Sequence, residues 1–155
     1  MQHGPLGVRL RQSSMALQDT IERQAALRAP GVRWIGVDVV CIANWERRLK
    51  LGGDALLNRV YTESELEFAA GRPERLATRL AAKEAVLKAL GTGFKGVGFK
   101  TVEVKVDDAG KPMISLTGTS AQRARQLGLE GFAISLCHED GYAIAIAAGS
   151  AARTM

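Results

Sequence analysis

Three charged side chains stand where apolar residues are expected, and their types suit phosphate and metal chemistry. Asp38 interrupts WIGVDVVCI, a run rich in Val and Ile that otherwise reads as a strand. Glu84 and Lys88 lie one turn apart in RLAAKEAVLKALGTG, whose remaining surface is mostly Leu and Ala. A lone Asp in such a strand is either satisfied by backbone donors or serves as a ligand. Glu84 and Lys88 form either a surface i,i+4 pair, worth about 0.3–0.5 kcal/mol, or a carboxylate and an ammonium sharing a polar hole in the core. Two isolated carboxylates, one on a strand and one on a helix, suit Mg²⁺. That ion takes one or two protein carboxylates and completes its octahedron with water and phosphate oxygens. Gly91-Thr92-Gly93 follows the helix at once. Gly91 alone is an ordinary helix stop; a second glycine lets backbone approach a bulky ligand, and Thr92 offers a hydroxyl.

The helix that must carry these groups spans Arg75 to Leu90. With Leu76 at zero and about 100° per residue, Leu80, Leu87 and Leu90 fall within about 40° of it. Lys83 falls inside that apolar stripe and Glu84 on its flank. A helix apolar nearly all round is normally buried, and its small residues let other backbones come close. Charges on it need partners, because an unpaired buried charge costs several kcal/mol or shifts its pKa.

The other elements follow from period and punctuation. Arg33 to Ile42 is apolar on both faces, which predicts a central strand. ANWERRLKLGGDALLNRV is helical with a Gly-Gly interruption, and Thr62-Glu63-Ser64-Glu65 is a capping box. FKTVEVKVDD alternates, with Phe99, Val102, Val104 and Val106 as core positions, and KPMISLTG returns as a hairpin partner. TSAQRARQLGL predicts a short helix from a Ser/Thr cap to Gly128. FAISLCHEDGYAIAIAAG is a second hairpin turning at Glu139-Asp140-Gly141. The order predicts an α+β domain, a mainly antiparallel sheet packed against a long helix.

Residues 1–32 read as an N-terminal extension, 33–150 as the domain and 151–155 as a tail. DTIERQAALRA forms a helical pattern stopped by Pro30-Gly31. The extension is either mobile, a misassigned start, or a docking element. The formal charge of the 155 residues is +5. That is too mild to argue for nucleic acid, and it suits small phosphorylated ligands or an acidic protein partner. No apolar run approaches the roughly 18–20 residues needed to cross a bilayer, and no signal peptide is read, so a cytoplasmic location without membrane attachment is expected. Cys41 and Cys137 have no metal-site spacing and read as reduced thiols.

Together these residues resemble the holo-acyl-carrier-protein synthase family of 4′-phosphopantetheinyl transferases. IGVDVVCI resembles its opening strand, YTESELEFA its Phe-Thr-x-x-Glu segment, and RLAAKEAVLKALGTG its signature helix. VEVKVDDAGKPMISLTG and ISLCHEDGYAIAIA resemble its two hairpins. The resemblance runs from about Trp34 to Ala148. It implies transfer of phosphopantetheine from coenzyme A to a serine of an acyl carrier protein, with release of 3′,5′-ADP; the carrier is one of fatty acid biosynthesis or of a polyketide or peptide synthase. It implies that Asp38 and Glu84 hold Mg²⁺ and that Lys88 acts beside the same phosphate as fixed cation or acid. Glu84 or a metal-bound water takes the serine proton. Arg79, Lys83, Lys88, Gly91, Thr92 and Gly93 would line the coenzyme A site. The family is typically a homotrimer with active sites between subunits, and Arg47, Arg48 and Lys50 are reasonable contacts for the acidic carrier, or an ordinary solvated face.

Two positions depart from that pattern. Cys41 stands where many members have a Glu three residues after the strand Asp, and Ala133 where many have a His. His138 matches a second family His and either contacts the ligand or begins the hairpin turn. The departures leave open a non-catalytic relative that binds coenzyme A or a carrier protein. A different Mg²⁺-dependent phosphotransferase is a third reading, although neither GxxxxGK[ST] nor a strand–GxGxxG–helix occurs. A zinc hydrolase lacks ligands, with only His3 and His138 available.

Overall fold

The computed structural model describes residues 34–93 and 98–151. The expected extension over residues 1–32 lies outside the described residues, as does the expected tail 151–155 apart from Ala151, which is the last residue of a strand. Strand β1 (Trp34–Cys41) runs directly into α1 (Ile42–Val60), which bends at Gly53, inside the Gly-Gly interruption. Helix α2 (Glu63–Ala69) starts on the capping box: the Glu65 amide donates to Thr62 Oγ1 at 3.3 Å, and the Thr62 amide donates to Glu65 Oε2 at 2.9 Å. The long helix α3 (Pro73–Ala89) opens on proline, whose missing N–H costs nothing in a first turn. A 3₁₀ turn (Phe99–Thr101) leads into the hairpin β2 (Val102–Val106) and β3 (Pro112–Leu116). Helix α4 (Gly118–Gln126) and the hairpin β4 (Leu129–Glu139) and β5 (Tyr142–Ala151) complete the domain. The α+β class and antiparallel pairing match the expectation.

Two details differ from it. The strands form two sheets, β1-β5-β4 and β2-β3, and β1 is an edge strand, not a central one. Its outward face, Ile35, Val37 and Val39, is apolar yet exposed, so the two-sided apolar pattern marks an uncovered face. The α4 cap is also different. Thr117 makes no side-chain cap bond, while the Ser120 hydroxyl is buried against the Thr101 hydroxyl at 2.6 Å.

The inner face of the three-stranded sheet packs on α3. Ala82, Ala85, Val86 and Leu87 meet Ala145 and Ala147 of β5 and Val102 and Val104 of β2. Alanine on both sides keeps this contact thin. At Gly36 it is thinner still: a Cβ there would lie 1.8 Å from the Ala85 carbonyl oxygen. A glycine therefore sets the approach of β1 to α3, two residues before Asp38. A second cluster, Trp45, Leu49, Tyr61, Leu76 and Leu80, ties α1 to the start of α3. There Tyr61 Oη accepts from Trp45 Nε1 at 2.7 Å and donates to the Leu76 carbonyl at 2.8 Å. Among the described residues no helix is long and apolar enough to cross a membrane.

Candidate active site

β1 and α3 bring Asp38, Glu84 and Lys88 together. Asp38 points inward from β1 opposite Ala145, whose small side chain leaves room beside it. Lys88 Nζ donates to Asp38 Oδ1 at 2.6 Å and to the Val37 carbonyl at 3.0 Å. Lys88 therefore reaches across to the strand instead of pairing only along its own helix. Glu84, half-buried one turn earlier, faces Asp38. Burial first, and then the Asp38 charge, push the Glu84 carboxyl up to about 7, against the opposing pull of Lys88 and Arg48. Two ionised carboxylates cannot bond each other, since both only accept. Their contact is a hydrogen bond only when one proton is shared.

Asp38 is 7% exposed, and its Oδ2 is buried without a hydrogen-bond donor. A buried carboxylate oxygen without a donor, beside a second carboxylate reluctant to ionise, fits a cation with hard oxygen preference. The donor set suits an ion that keeps positions for water or phosphate oxygens: among the described residues no cluster of three or more His, Cys, Asp and Glu could cage a metal. Beside Glu84 lies a cavity of about 220 Å³ lined by Cys41, Asn44, Trp45 and Arg48. Cys41 thus shares a cavity with Glu84, and its thiol is in no disulfide. Arg48 lines this cavity while remaining exposed; Arg47 and Lys50, also exposed on α1, bond to Asn44 and Glu46 at 3.4 and 2.9 Å.

Lys83 is elsewhere. Its side chain is fully buried, and its three protons go to Glu65 Oε2 at 2.7 Å, the Phe99 carbonyl at 3.0 Å and the Val102 carbonyl at 2.5 Å. Glu65 Oε1 in turn accepts from the Val104 amide at 2.9 Å. Burial lowers the Lys83 pKa, and the Glu65 carboxylate works against that fall. The structure therefore does not bring Lys83 to the carboxylate pair; it locks α2, α3 and β2 together. Gly91 and Gly93 adopt left-handed φ of 69° and 54° directly after Lys88. The Thr92 hydroxyl donates to the Leu87 carbonyl at 3.4 Å, as a helix stop does.

Arg79 and His138 meet on the other flank of α3. Arg79 and Glu84 are five residues apart, which turns them about 140° from each other around the helix. His138 sits near the end of β4, two residues before Asp140, and on the helix-facing side of the sheet, opposite Ala143. It lines a cavity of about 390 Å³ together with Phe68, Arg75, Thr78 and Arg79. His138 thus both adjoins the hairpin turn and faces this cavity. Glu65, Arg75 and Phe68 are the site-related residues that periodicity alone does not single out. Ala133 lies on the outward sheet face, opposite Ala148.

A sequence profile of the 4'-phosphopantetheinyl transferase superfamily matches residues 35–147. A holo-[acyl-carrier-protein] synthase of Geobacter sp. (strain M21) is 43% identical over 115 residues, covering 72% of this chain and 92% of that protein. The crystal structure of the Neisseria meningitidis holo-[acyl-carrier-protein] synthase superposes with a TM-score of 0.70 at 32% identity, covering 77% of this chain and 98% of that one. The Helicobacter pylori synthase in complex with coenzyme A superposes with a TM-score of 0.69 at 28% identity, covering 75% of this chain and 99% of that one. The chain belongs to the 4'-phosphopantetheinyl transferase superfamily, among its holo-[acyl-carrier-protein] synthases.

Proposed function

We propose that this chain transfers 4′-phosphopantetheine from coenzyme A to a serine hydroxyl of an apo-acyl carrier protein and releases 3′,5′-ADP. The observation that carries the reading is the Asp38–Glu84 carboxylate pair, buried at Asp38 and half-buried at Glu84, with Lys88 across it, in a family whose solved members include coenzyme A complexes. Asp38 and Glu84 would hold Mg²⁺, which supplies charge neutralisation and Lewis acidity at a pyrophosphate. The serine oxygen bonds to the phosphorus that carries pantetheine, and the bond from that phosphorus to the bridging oxygen breaks. The bridging oxygen leaves on 3′,5′-ADP. Glu84, the less buried carboxylate, takes the serine proton. Lys88, held by Asp38 and the Val37 carbonyl, offers a fixed positive charge to the leaving phosphate or a proton to it. Gly91 to Gly93 carry the backbone beyond Lys88 without side chains at two of three positions. Arg79 and His138 would meet the more distant phosphate of coenzyme A.

Two further parts of the reading draw on surface and geometry. The outward face of β1 and β5, with Val37 opposite Ile146, is an apolar patch of the kind that marks a subunit contact. The opposite directions of Arg79 and Glu84 favour a site completed between copies in a homotrimer. Sedimentation at three chain masses is the expected outcome, and a monomer at working concentration would exclude it. Exposed Arg47 and Lys50 suit an acidic carrier surface. The location proposed is the cytoplasm, where coenzyme A and carriers of fatty acid biosynthesis meet. The decisive experiment is intact mass: the protein, Mg²⁺, coenzyme A and an apo-carrier are incubated and the carrier is weighed. A gain of one phosphopantetheine, lost with Glu84→Gln, is expected. No gain with several unrelated carriers, despite coenzyme A binding, would instead favour a non-catalytic relative.

A further inference from the structure

Arg79 is a buried cation short of partners. It is 3% exposed, its Nε has no hydrogen-bond acceptor, and its Nη1 reaches the Arg75 carbonyl only at 3.4 Å. The charge of the Glu65 carboxylate attracts it, and an aromatic face covers it: the Arg79 guanidinium carbon lies 3.9 Å from the centroid of Phe68. Arg75 shares the same ring at 5.0 Å, with its Nη1 fixed to the Phe68 carbonyl at 2.9 Å. Phe68 itself is 42% exposed on α2 and lines the cavity that Arg79 and His138 face. Two neighbouring guanidiniums repel each other, and the ring quadrupole together with a bound anion offsets that repulsion.

We propose that Phe68 is a positioning residue: its ring holds Arg75 and Arg79 side by side at the cavity wall shared with His138, and so sets selectivity for a phosphate monoester on the ribose of the substrate. This rests on the transferase reading above. Coenzyme A carries two phosphate groups, a pyrophosphate and a 3′-phosphate. The carboxylate pair with Lys88 suits the first, and this separate cationic wall suits the second. Phe68→Leu keeps apolar bulk and the backbone carbonyl that Arg75 uses, and removes only the aromatic face. Phe68→Tyr keeps the face.

The test uses the full chain in its native assembly and calorimetric binding of 3′,5′-ADP and of 5′-AMP, which differ by the 3′-phosphate. The wild type binds 3′,5′-ADP more tightly. Phe68→Leu weakens that binding about five- to tenfold, leaves 5′-AMP binding within about twofold, and raises KM for coenzyme A with kcat retained. Phe68→Tyr restores wild-type discrimination. Equal losses for both nucleotides, no loss with Phe68→Leu, or no rescue by Phe68→Tyr overturns the proposal. If carriers are modified but discrimination does not depend on Phe68, the platform fails and the transferase reading stands. If discrimination follows Phe68 but no carrier is modified, the reverse holds.

Discussion

Replacing Glu84 by Gln should stabilise the metal-free protein at alkaline pH while abolishing transfer. Glu84 is pushed up to about 7 by burial and by Asp38. A carboxyl whose folded pKa exceeds its unfolded value binds more protons in the folded state. Its contribution is present below the unfolded pKa and is lost as pH rises through about 7. The whole distance from the ordinary carboxyl value corresponds to roughly 3 kcal/mol. Glu84 keeps part of its surface in water, and screening brings the expected effect to about 1–2 kcal/mol. The assay is urea unfolding in EDTA at pH 5 and pH 8, at one protein concentration. Glu74 and Glu103 titrate too, so the quantity read is the variant-minus-wild-type difference, which isolates residue 84. At pH 8 the Gln variant should exceed the wild type by about 1–2 kcal/mol, and at pH 5, just above the ordinary carboxyl value, the difference should fall to roughly half of that. Added Mg²⁺ should stabilise the wild type and leave the variant unmoved. A difference that is zero or negative at pH 8, or independent of pH, would refute the carboxylate-repulsion argument.

Three other perturbations probe different layers. Lys83→Met leaves Glu65 buried without its cation and should cost about 3–5 kcal/mol, part of it recovered in Lys83→Met/Glu65→Gln; unfolding midpoints equal to wild type would contradict the lock. Gly36→Ala drives a methyl into the Ala85 carbonyl and should cost about 2–3 kcal/mol, with transfer falling further because Asp38 moves with β1; an unchanged melting temperature would count against the close approach. Lys88→Ala should lower kcat by roughly two orders of magnitude or more and weaken coenzyme A binding far less, and an unchanged turnover number would remove the role assigned to it.

What could be read in advance depends on whether the signal is local. The capping box Thr62–Glu65, both hairpins and the buried length of α3 are legible because each is set by neighbours within a few residues. Periodicity also places Lys83 inside the apolar stripe, but its partner Glu65 lies on another helix, where the capping box explains only one carboxylate oxygen. The second oxygen goes to Val104, a contact no spacing announces. β1 shows the opposite failure. Apolar residues on both faces predict a strand covered on both sides, and within one chain the outward face is bare. The carboxylate pair is legible as two anomalies, one per element. Their meeting depends on Gly36 and the alanines of α3, whose smallness reads as nothing more than helix propensity until the strand is laid against it.

That dependence says why the site is built on these elements. Asp38 and Glu84 repel each other, and on loops they would separate. Here Asp38 is fixed by β1 paired with β5, and Glu84 by a helix whose approach is set by a missing Cβ at Gly36. The Lys83–Glu65 lock holds the next residue of that helix in register with β2. Lys88, with help from the Arg48 charge, compensates the pair in the free protein, and its second bond to the Val37 carbonyl keeps it at the strand. The scaffold therefore holds two carboxylates closer than their charges favour, an arrangement that the divalent cation and phosphate oxygens of the proposed reaction would relieve. If that is right, loosening the approach should restore ordinary titration of Glu84 before it unfolds the chain. In Gly36→Ala, NMR titration of Glu84 in EDTA should show its carboxyl falling back toward the usual range. A Glu84 that still titrates near 7 in a folded Gly36→Ala protein would mean that burial alone, not the forced neighbour, governs it.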